Sequence, residues 1–294
     1  MEAPPHALLI RTPTTLVDPV RLFHGAAVER GQWETLGHLE RRRLLVRGRY
    51  AALRSPGVVS HRSAAALWGL PDVDRPDARL HLIDARVQRT HSGRGVVRHV
   101  APLAPAETTT VDGVPVTSLV RTAVDVARTG SSAQGVAVFD HLLHRQLVTR
   151  DELEQVLGRL GGRRGVGRAR DALAFADPLA ESPGESISRV TARELRVRAP
   201  VLQQEFDTDV GRFRVDFWWP EHGVVGEFDG RVKYADHDAL WDEKLREDAL
   251  RRHPEVRAVA RWTMREAVSP AALAHVLLRA GVPVLRAAGG TPRR

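Results

Sequence analysis

Two carboxylates interrupt consecutive apolar segments near the C-terminus. Asp216 lies within residues 213–219 and Glu227 within residues 224–229, although acidic residues are depleted from strand interiors. The turn-forming residues 220–223 would fold these segments into an antiparallel hairpin, which brings the two carboxylates close together. Neighbouring carboxylates repel unless a cation lies between them, and Mg²⁺ prefers such oxygen ligands and activates water against a phosphodiester. The spacing therefore predicts a divalent-metal, nuclease-type site.

The elements that would position this site alternate clearly along the chain. Apolar periodicity predicts a helix, three strands, a helix, a strand and a final helix after residue 181. The predicted ranges are 185–198, 202–208, 213–219, 224–229, 238–252, 256–262 and 270–280. Residues 181–294 are therefore expected to form an α/β domain.

At these residues the chain resembles a known family. The motif residues are Phe213-Arg214-Val215-Asp216-Phe217 and Val225-Gly226-Glu227-Phe228-Asp229-Gly230, followed by Lys233 and Arg246-Glu247-Asp248. They are similar to the PD-(D/E)xK nuclease superfamily, and most of all to its uncharacterised branch akin to very-short-patch-repair endonucleases. The resemblance covers residues 181 to 280 and implies an αβββαβ restriction-endonuclease-like core.

The same resemblance implies roles for single residues. It implies that Asp216 and Glu227 bind Mg²⁺ or Mn²⁺, and that Glu185 matches the acid sometimes contributed by the first helix. Asp229 stands where the family usually has its lysine, so Lys233 is the candidate to orient the attacking water. The predicted catalytic set is Asp216, Glu227, Asp229 and Lys233, and the predicted metal set is Glu185, Asp216 and Glu227.

Several of these residues have a simpler structural interpretation. Glu185 follows Ser182 by three residues, with Pro183 between them, which is equally typical of a capping box. Asp229-Gly230 is also a common turn sequence. Lys244 and Arg246 could contact a DNA backbone or lie on a solvated helix face.

Near the N-terminus, a helical pattern runs into a cluster of arginines. Residues 44–53 are interpreted as extended, with Gly48 at their centre, which predicts a β-hairpin after the helix. A helix followed by a basic hairpin is typical of a winged helix, whose wing contacts the DNA backbone; a solvated basic helix beside a small hairpin is the alternative. The predicted DNA contacts here are Arg41, Arg42, Arg43, Arg47 and Arg49.

The middle of the chain, residues 57–180, is predicted to open with a helix, continue with strands over 78–87, 95–101 and 108–116, and end with helices. Ser60 is a candidate N-cap for a helix that ends at Gly69, and Asp112-Gly113 predicts a tight hairpin turn. His61 is interpreted as a surface or capping residue and is left out of the site. Helices are predicted over residues 117–128, 133–146, 150–160 and 166–176.

These N-terminal and middle segments also resemble the actinobacterial proteins grouped with AbiEi-type antitoxins. The matching segments are Val46-Arg47-Gly48-Arg49-Tyr50-Ala51, Ser60-His61-Arg62-Ser63-Ala64-Ala65-Ala66-Leu67-Trp68-Gly69-Leu70-Pro71 and Ser118-Leu119-Val120-Arg121-Thr122-Ala123-Val124-Asp125. The resemblance implies a DNA-binding, autoregulatory front end, with a toxin protein as a partner.

Composition limits the function classes. The chain of 294 residues has 44 Lys and Arg against 36 Asp and Glu, a net charge of +8, which suits nucleic-acid phosphates, although a GC-rich genome also enriches arginine. It has no cysteine, which excludes disulfides and thiolate metal sites. The sequence contains neither a signal-peptide pattern nor an apolar run long enough for a membrane span, so we expect a cytoplasmic protein.

The sequence thus predicts a mixed α/β (α+β) chain of three parts: a winged-helix-like region at 1–56, a mixed strand and helix domain at 57–180, and a nuclease-like domain at 181–294. The leading hypothesis is a DNA-binding protein whose metal-dependent endonuclease-like domain hydrolyses phosphodiesters with Mg²⁺ or Mn²⁺. The alternative is a non-catalytic AbiEi-type antitoxin or transcriptional autoregulator that binds DNA.

Overall fold

The computed structural model describes residues 16–23, 25–54, 57–93, 95–230 and 237–285, with the backbone alone for residues 237–243. The chain is mixed α/β and divides into two compact units. We call Met1–Ser131 with Arg150–Arg170 the first unit, and Ser132–Thr149 with Asp171–Arg294 the second unit. The three-part division predicted from the sequence stays a prediction.

The first unit is built on a six-stranded mixed sheet. The strand order is β5-β6-β4-β3-β8-β7, with β3 parallel to β8 and β4 parallel to β6. Asp112 and Gly113 have φ angles of 50° and 75° and form the predicted tight turn between β7 and β8. The strands are β3 (Val58–Val59), β4 (Leu80–Ile83), β5 (His91–Gly93), β6 (Val96–His99), β7 (Thr108–Val111) and β8 (Val114–Thr117).

Helices cover this sheet with apolar side chains. Helix α3 (His61–Trp68) has Ser60 at its N-cap and ends at Gly69, whose left-handed φ of 72° suits glycine. Helices α4 (Leu119–Thr129), α6 (Arg150–Arg159) and the start of α7 (Val166–Phe175) complete the unit. The core includes Val59, Ala64, Leu67, Leu80, Leu82 and Val116.

The predicted N-terminal wing is wrong. Strands β1 (Pro19–Phe23) and β2 (Ala26–Glu29) form a hairpin that precedes the helices α1 (Arg30–Thr35) and α2 (His38–Ala51). Residues 44–51, predicted as part of a hairpin, are helical. The hairpin and helices therefore occur in the opposite order from the one that the winged-helix interpretation requires, and the basic cluster lies on α2.

From residue 181 onward, the second unit has the element order predicted from the sequence, with the short helix α10 added before the last helix. Its four-stranded sheet has the order β12-β11-β10-β9, antiparallel except for the parallel pair β11 and β12. The elements are α5 (Ser132–His144), α8 (Pro183–Glu194), β9 (Val201–Thr208), β10 (Gly211–Trp219), β11 (Val224–Phe228), α9 (His237–Arg252), β12 (Ala258–Trp262), α10 (Met264–Ala267) and α11 (Pro270–Ala280).

Large aromatic side chains fix the centre of this sheet. A Cβ atom on Gly226 of β11 would lie 2.7 Å from the Trp262 ring and 2.8 Å from the Trp219 ring, so only glycine fits between them. The Trp219 indole N–H donates to the Arg198 carbonyl at 2.8 Å, and the Trp262 indole N–H donates to Ser188 Oγ at 2.7 Å. The strands that carry Asp216 and Glu227 are therefore held in a defined position by packing.

Helix α5 belongs to the second unit, and a buried ion pair joins it to α8. Asp140 of α5 accepts hydrogen bonds from Arg189 Nη1 at 2.7 Å and from Ser186 Oγ at 2.8 Å. Both acceptor and donors are buried, and breaking such a pair strongly destabilises a fold.

Within the described part of the chain, no helix is long and apolar enough to cross a membrane.

Candidate functional site

The structure brings Asp216 and Glu227 together. Phe217 pairs with Gly226 in the antiparallel register of β10 and β11, so the next residue on each strand places Asp216 opposite Glu227, as predicted. Asp216 Oδ2 accepts a hydrogen bond from Phe228 N at 2.8 Å. Burial raises the pKa of Asp216, against the opposing effects of that N–H group and of Arg246.

Glu185 lies next to this pair, at the first turn of α8. Ser182 Oγ accepts from Glu185 N at 3.2 Å, which confirms the N-cap, while Glu185 Oε2 accepts from Glu181 N at 3.0 Å and Gln203 Nε2 at 3.1 Å. Burial raises the pKa of Glu185, and the negative charge of Asp216 acts in the same direction. The Glu185 carboxylate accepts from Glu181 N and not from the N-cap N–H of Ser182, so the N-cap is present without the reciprocal bond of the predicted capping box.

A cation of the protein itself already contacts these acids. Arg246 of α9 donates to Glu227 Oε1 at 2.9 Å and to the Arg214 carbonyl at 2.7 Å. The guanidinium also lowers the pKa of Asp216. Arg246, which was predicted to contact DNA or solvent, therefore neutralises part of the acid cluster.

The remaining predicted residues of this site lie around it or outside the described residues. Asp229 follows β11, and its N–H donates to the Trp262 carbonyl at 2.8 Å. Lys244 is exposed on α9, and Lys233 lies outside the described residues. Among the residues that the structure describes, no group of three or more His, Cys, Asp and Glu side chains is arranged to hold a metal ion. Metal binding by Glu185, Asp216 and Glu227 stays a prediction.

The five arginines predicted to contact DNA near the N-terminus all have partners within the first unit. Arg42 is largely buried and forms an ion pair with Asp72, and its burial lowers the pKa to about 10. Arg43 and Arg47 both face Asp112, at 3.0 and 3.9 Å.

The other two stack on aromatic rings. The guanidinium of Arg41 lies 5.1 Å from the Trp33 ring centroid and that of Arg49 lies 4.8 Å from Phe23, distances typical of cation–π contacts. Taken together, the five side chains stabilise α2 against its neighbours, and DNA contact by them stays a prediction.

The first unit contains a cluster of three histidines that the sequence interpretation missed. The rings of His61 and His99 stack at 3.8 Å between centroids, and His81 Nδ1 lies 3.0 Å from His99 Nε2. His61, which was interpreted as a surface or capping residue, is buried and has a left-handed φ of 53°. A buried histidine held at a rare backbone conformation requires a surrounding structure that fixes it.

Burial keeps these histidines neutral. It lowers the pKa of His99 to about 4, lowers that of His61 well below its ordinary value, and lowers that of His81. Carboxylates partly oppose this effect: Asp77 accepts from His81 Nε2 at 3.1 Å, and Asp125 raises the pKa of His61 and His99. The nearby guanidiniums of Arg62, Arg79 and Arg128 act in the same direction as burial.

An arginine network continues from the histidine cluster into the core. Arg128 lies 3.2 Å from His61 Nε2 and donates to Asp125 at 2.7 Å. The fully buried Arg121 donates to Asp125 at 3.0 Å and to Glu107 at 2.7 Å. Buried charges need such partners, so helices α3 and α4 and the 3₁₀ turn Pro105–Glu107 are joined by one continuous network.

A sequence signal for the histidine cluster existed. His81 interrupts the apolar strand residues Leu80, Leu82 and Ile83, and His99 ends an apolar strand, as Asp216 interrupts its own strand. A polar residue in a buried strand needs a partner, but the pairing of β4 with β6 is not visible from residues nearly twenty positions apart.

The central segment of the chain is similar to a known protein family. Residues 57–175 match the family model of the AbiEi antitoxin C-terminal domain. Two uncharacterized proteins from two strains of Mycobacterium tuberculosis are each 32% identical over 186 residues, which is 63% of this chain and 66% of the length of each relative. No solved structure matches the chain.

The family match covers the residues that carry the histidine cluster and the arginine network. The AbiEi resemblance is thereby confirmed for residues 57–175. Of the three segments on which that resemblance rested, residues 46–51 lie before the match and are helical. The nuclease resemblance of residues 181–280 gains no support from these comparisons.

Proposed function

We propose that this protein is an antitoxin-type regulator that binds duplex DNA without cleaving it. The match of residues 57–175 to the AbiEi antitoxin C-terminal domain carries this proposal. A net charge of +8 supports association with a polyanion. The alternative hypothesis from the sequence is thus the better supported one.

The contacts of the acid cluster favour a non-catalytic role for the second unit. Arg246 donates to Glu227 at 2.9 Å, so a metal ion bound to Glu227 would face a guanidinium at close range. Like charges at that distance repel. A toxin protein is the proposed macromolecular partner besides DNA, and a cytoplasmic location is proposed with it.

DNA binding is tested by fluorescence anisotropy with a labelled duplex from upstream of the protein's own gene and a scrambled duplex of the same composition. We expect binding to both, tighter for the upstream duplex, with an affinity that falls steeply between about 50 and about 200 mM salt because phosphate contacts release counterions. Equal affinity for both duplexes would contradict the hypothesis of autoregulation through the upstream sequence. Absence of binding to either duplex would overturn the proposed function.

Metal-dependent phosphodiester hydrolysis is the second candidate function. It is favoured by the position of Asp216 opposite Glu227 and beside Glu185. The pKa values of Asp216 and Glu185 are both raised. A nearby divalent cation stabilises the ionised form of such neighbouring carboxylates. Incubation of plasmid DNA with the protein and Mg²⁺ or Mn²⁺ distinguishes the two functions, because cleavage would overturn the regulator proposal.

For this second candidate, thermal melts of the parent and of Asp216→Asn are compared with and without Mn²⁺. If Asp216 is a metal ligand, Mn²⁺ raises the melting temperature of the parent by mass action and barely changes that of Asp216→Asn. The metal-free Asp216→Asn protein should melt at or slightly above the parent temperature, because one of the facing negative charges is removed. Equal metal-induced shifts in both proteins would show that Asp216 is not a ligand.

A further inference from the structure

We infer that the exposed segment between α6 and α7 is a DNA-phosphate-binding surface of the first unit. This inference rests on the proposed function, since it names where duplex DNA is contacted. We call the side chains of Arg163, Arg164, Arg168 and Arg170 the basic ridge. All four are exposed.

The composition of the segment is one-sided. Residues 158–170 contain five arginines and no acidic residue, so its positive charge is not neutralised along the chain. One of the five, Arg159, is paired with Glu107 at 3.2 Å and is therefore left out of the ridge. In the part of the chain that the structure describes, the side chains of Arg163, Arg164 and Arg170 have no hydrogen bond or ion pair.

The backbone beneath the ridge is fixed by the end of α4. Gly165 has a φ of 83°, and a Cβ atom there would lie 2.0 Å from the Arg128 carbonyl oxygen, so the chain passes against α4 where only glycine fits. Arg128 Nη1 donates to the Arg164 carbonyl at 3.4 Å, and Arg168 Nη1 donates to the Gly130 carbonyl at 2.7 Å. These contacts hold the segment in place while its free guanidiniums point to solvent.

Buried side chains within the same segment reinforce this anchoring. Val166 and Ala169 are 3% and 0% exposed and alternate with the exposed arginines. The exposed arginines thus lie on a segment that is anchored by buried side chains. A preorganised set of arginines loses less conformational entropy on binding than a mobile set.

The ridge fits phosphates better than the predicted α2 arginines do. Arg42, Arg43 and Arg47 must exchange an aspartate partner for a phosphate, whereas Arg163, Arg164 and Arg170 of the ridge release only water and counterions. A guanidinium presents a planar fork of donors that binds phosphate oxygens bidentately. Contacts of this kind bind all sequences alike and position the protein on the duplex.

The test replaces Arg163, Arg164 and Arg170 together with glutamate. The matched control, Arg54→Glu, Arg75→Glu and Arg89→Glu combined, changes the same net charge at exposed arginines elsewhere in the first unit. We expect the ridge variant to lose about ten-fold or more in affinity for both the upstream and the scrambled duplex, and its log–log salt slope to decrease by about 3. The control should lose less than the ridge variant and keep most of its slope.

Each other result has a definite meaning. Unchanged affinity and slope in the ridge variant would overturn the inference and leave the proposed function standing. Equal losses in ridge and control variants would also overturn it, because net charge alone would then account for binding. A parent protein that binds neither duplex would overturn the proposed function itself. The conservative set Arg163→Gln, Arg164→Gln and Arg170→Gln should give a smaller loss in the same direction, and melting curves of all variants exclude unfolding as the cause.

Discussion

Replacing Arg121 with methionine is expected to lower the free energy of unfolding of the first unit by about 3–5 kcal/mol. The side chain is fully buried and forms charge-assisted hydrogen bonds to Glu107 at 2.7 Å and Asp125 at 3.0 Å. Methionine fills a similar volume but leaves both carboxylates without this partner. The loss therefore comes from uncompensated buried charge and not from a cavity.

The effect should appear in the first unit and spare the second. Hydrogen exchange resolves the two, because backbone amides of β4 and β8 report on the first unit and those of β10 and β11 on the second. The control is Arg89→Met, which removes an exposed arginine of the same unit and should change stability by less than about 0.5 kcal/mol. Similar exchange in Arg121→Met and Arg89→Met would mean that the buried network does not stabilise the unit.

Elements with a clear periodicity could be predicted from the sequence. The strands and helices after residue 181, apart from the short α10, were predicted in the correct order because apolar residues alternate with period two in β10 and recur with helical spacing in α8. Helices α4 to α7 followed from the same spacing. The turn at Asp112-Gly113 was predictable because its residue types suit two positive φ angles.

Helix α2 shows why periodicity can mislead. Its buried residues Leu44, Val46 and Gly48 occur at every second position, which is the pattern of a strand. Arg47 between Val46 and Gly48 is partly buried and faces Asp112, and the largely buried Arg42 reaches Asp72 from one turn earlier. The helix thus has protein contacts around more than one face, and tertiary contacts override the local pattern.

The candidate sites could be predicted only as far as strand pairing allowed. The hairpin at residues 220–223 was enough to place Asp216 opposite Glu227. The contact of Arg246 with Glu227 depends on how α9 lies on the sheet, and the histidine cluster depends on β4 and β6 pairing with α3 packed beside them. Such contacts between elements distant in sequence are not encoded in any local pattern.

The stability of the first unit is expected to fall as the pH decreases from about 6.5 to about 4. The histidine cluster is the reason: in the folded state the pKa of His99 is lowered to about 4, and those of His61 and His81 are lowered too. Over this interval the unfolded chain binds protons that the folded unit does not, so unfolding is favoured. Above pH 6.5 both states hold neutral histidines and the dependence disappears.

The carboxylates of the cluster act in a different pH range. The pKa values of Asp77 and Asp125 are lowered below the ordinary value of 3.8, so their stabilising contribution is lost only at still lower pH. A decrease between pH 6.5 and about 4 therefore reports on the histidines.

This effect is measured by urea unfolding of the parent, His99→Gln and His38→Gln at pH 7, 5.5 and 4.5. Hydrogen exchange at backbone amides of the first unit monitors the unfolding. The lowered pKa of His99 predicts a loss of roughly 2–3 kcal/mol in the parent on approaching pH 4. In His99→Gln one titrating group is removed, so the loss should be smaller by a comparable amount, even if the variant is less stable at pH 7. His38 is exposed on α2, and its replacement should leave the pH dependence unchanged. If His99→Gln and the parent lose the same free energy between pH 7 and pH 4.5, protonation of the cluster does not control the stability of the unit.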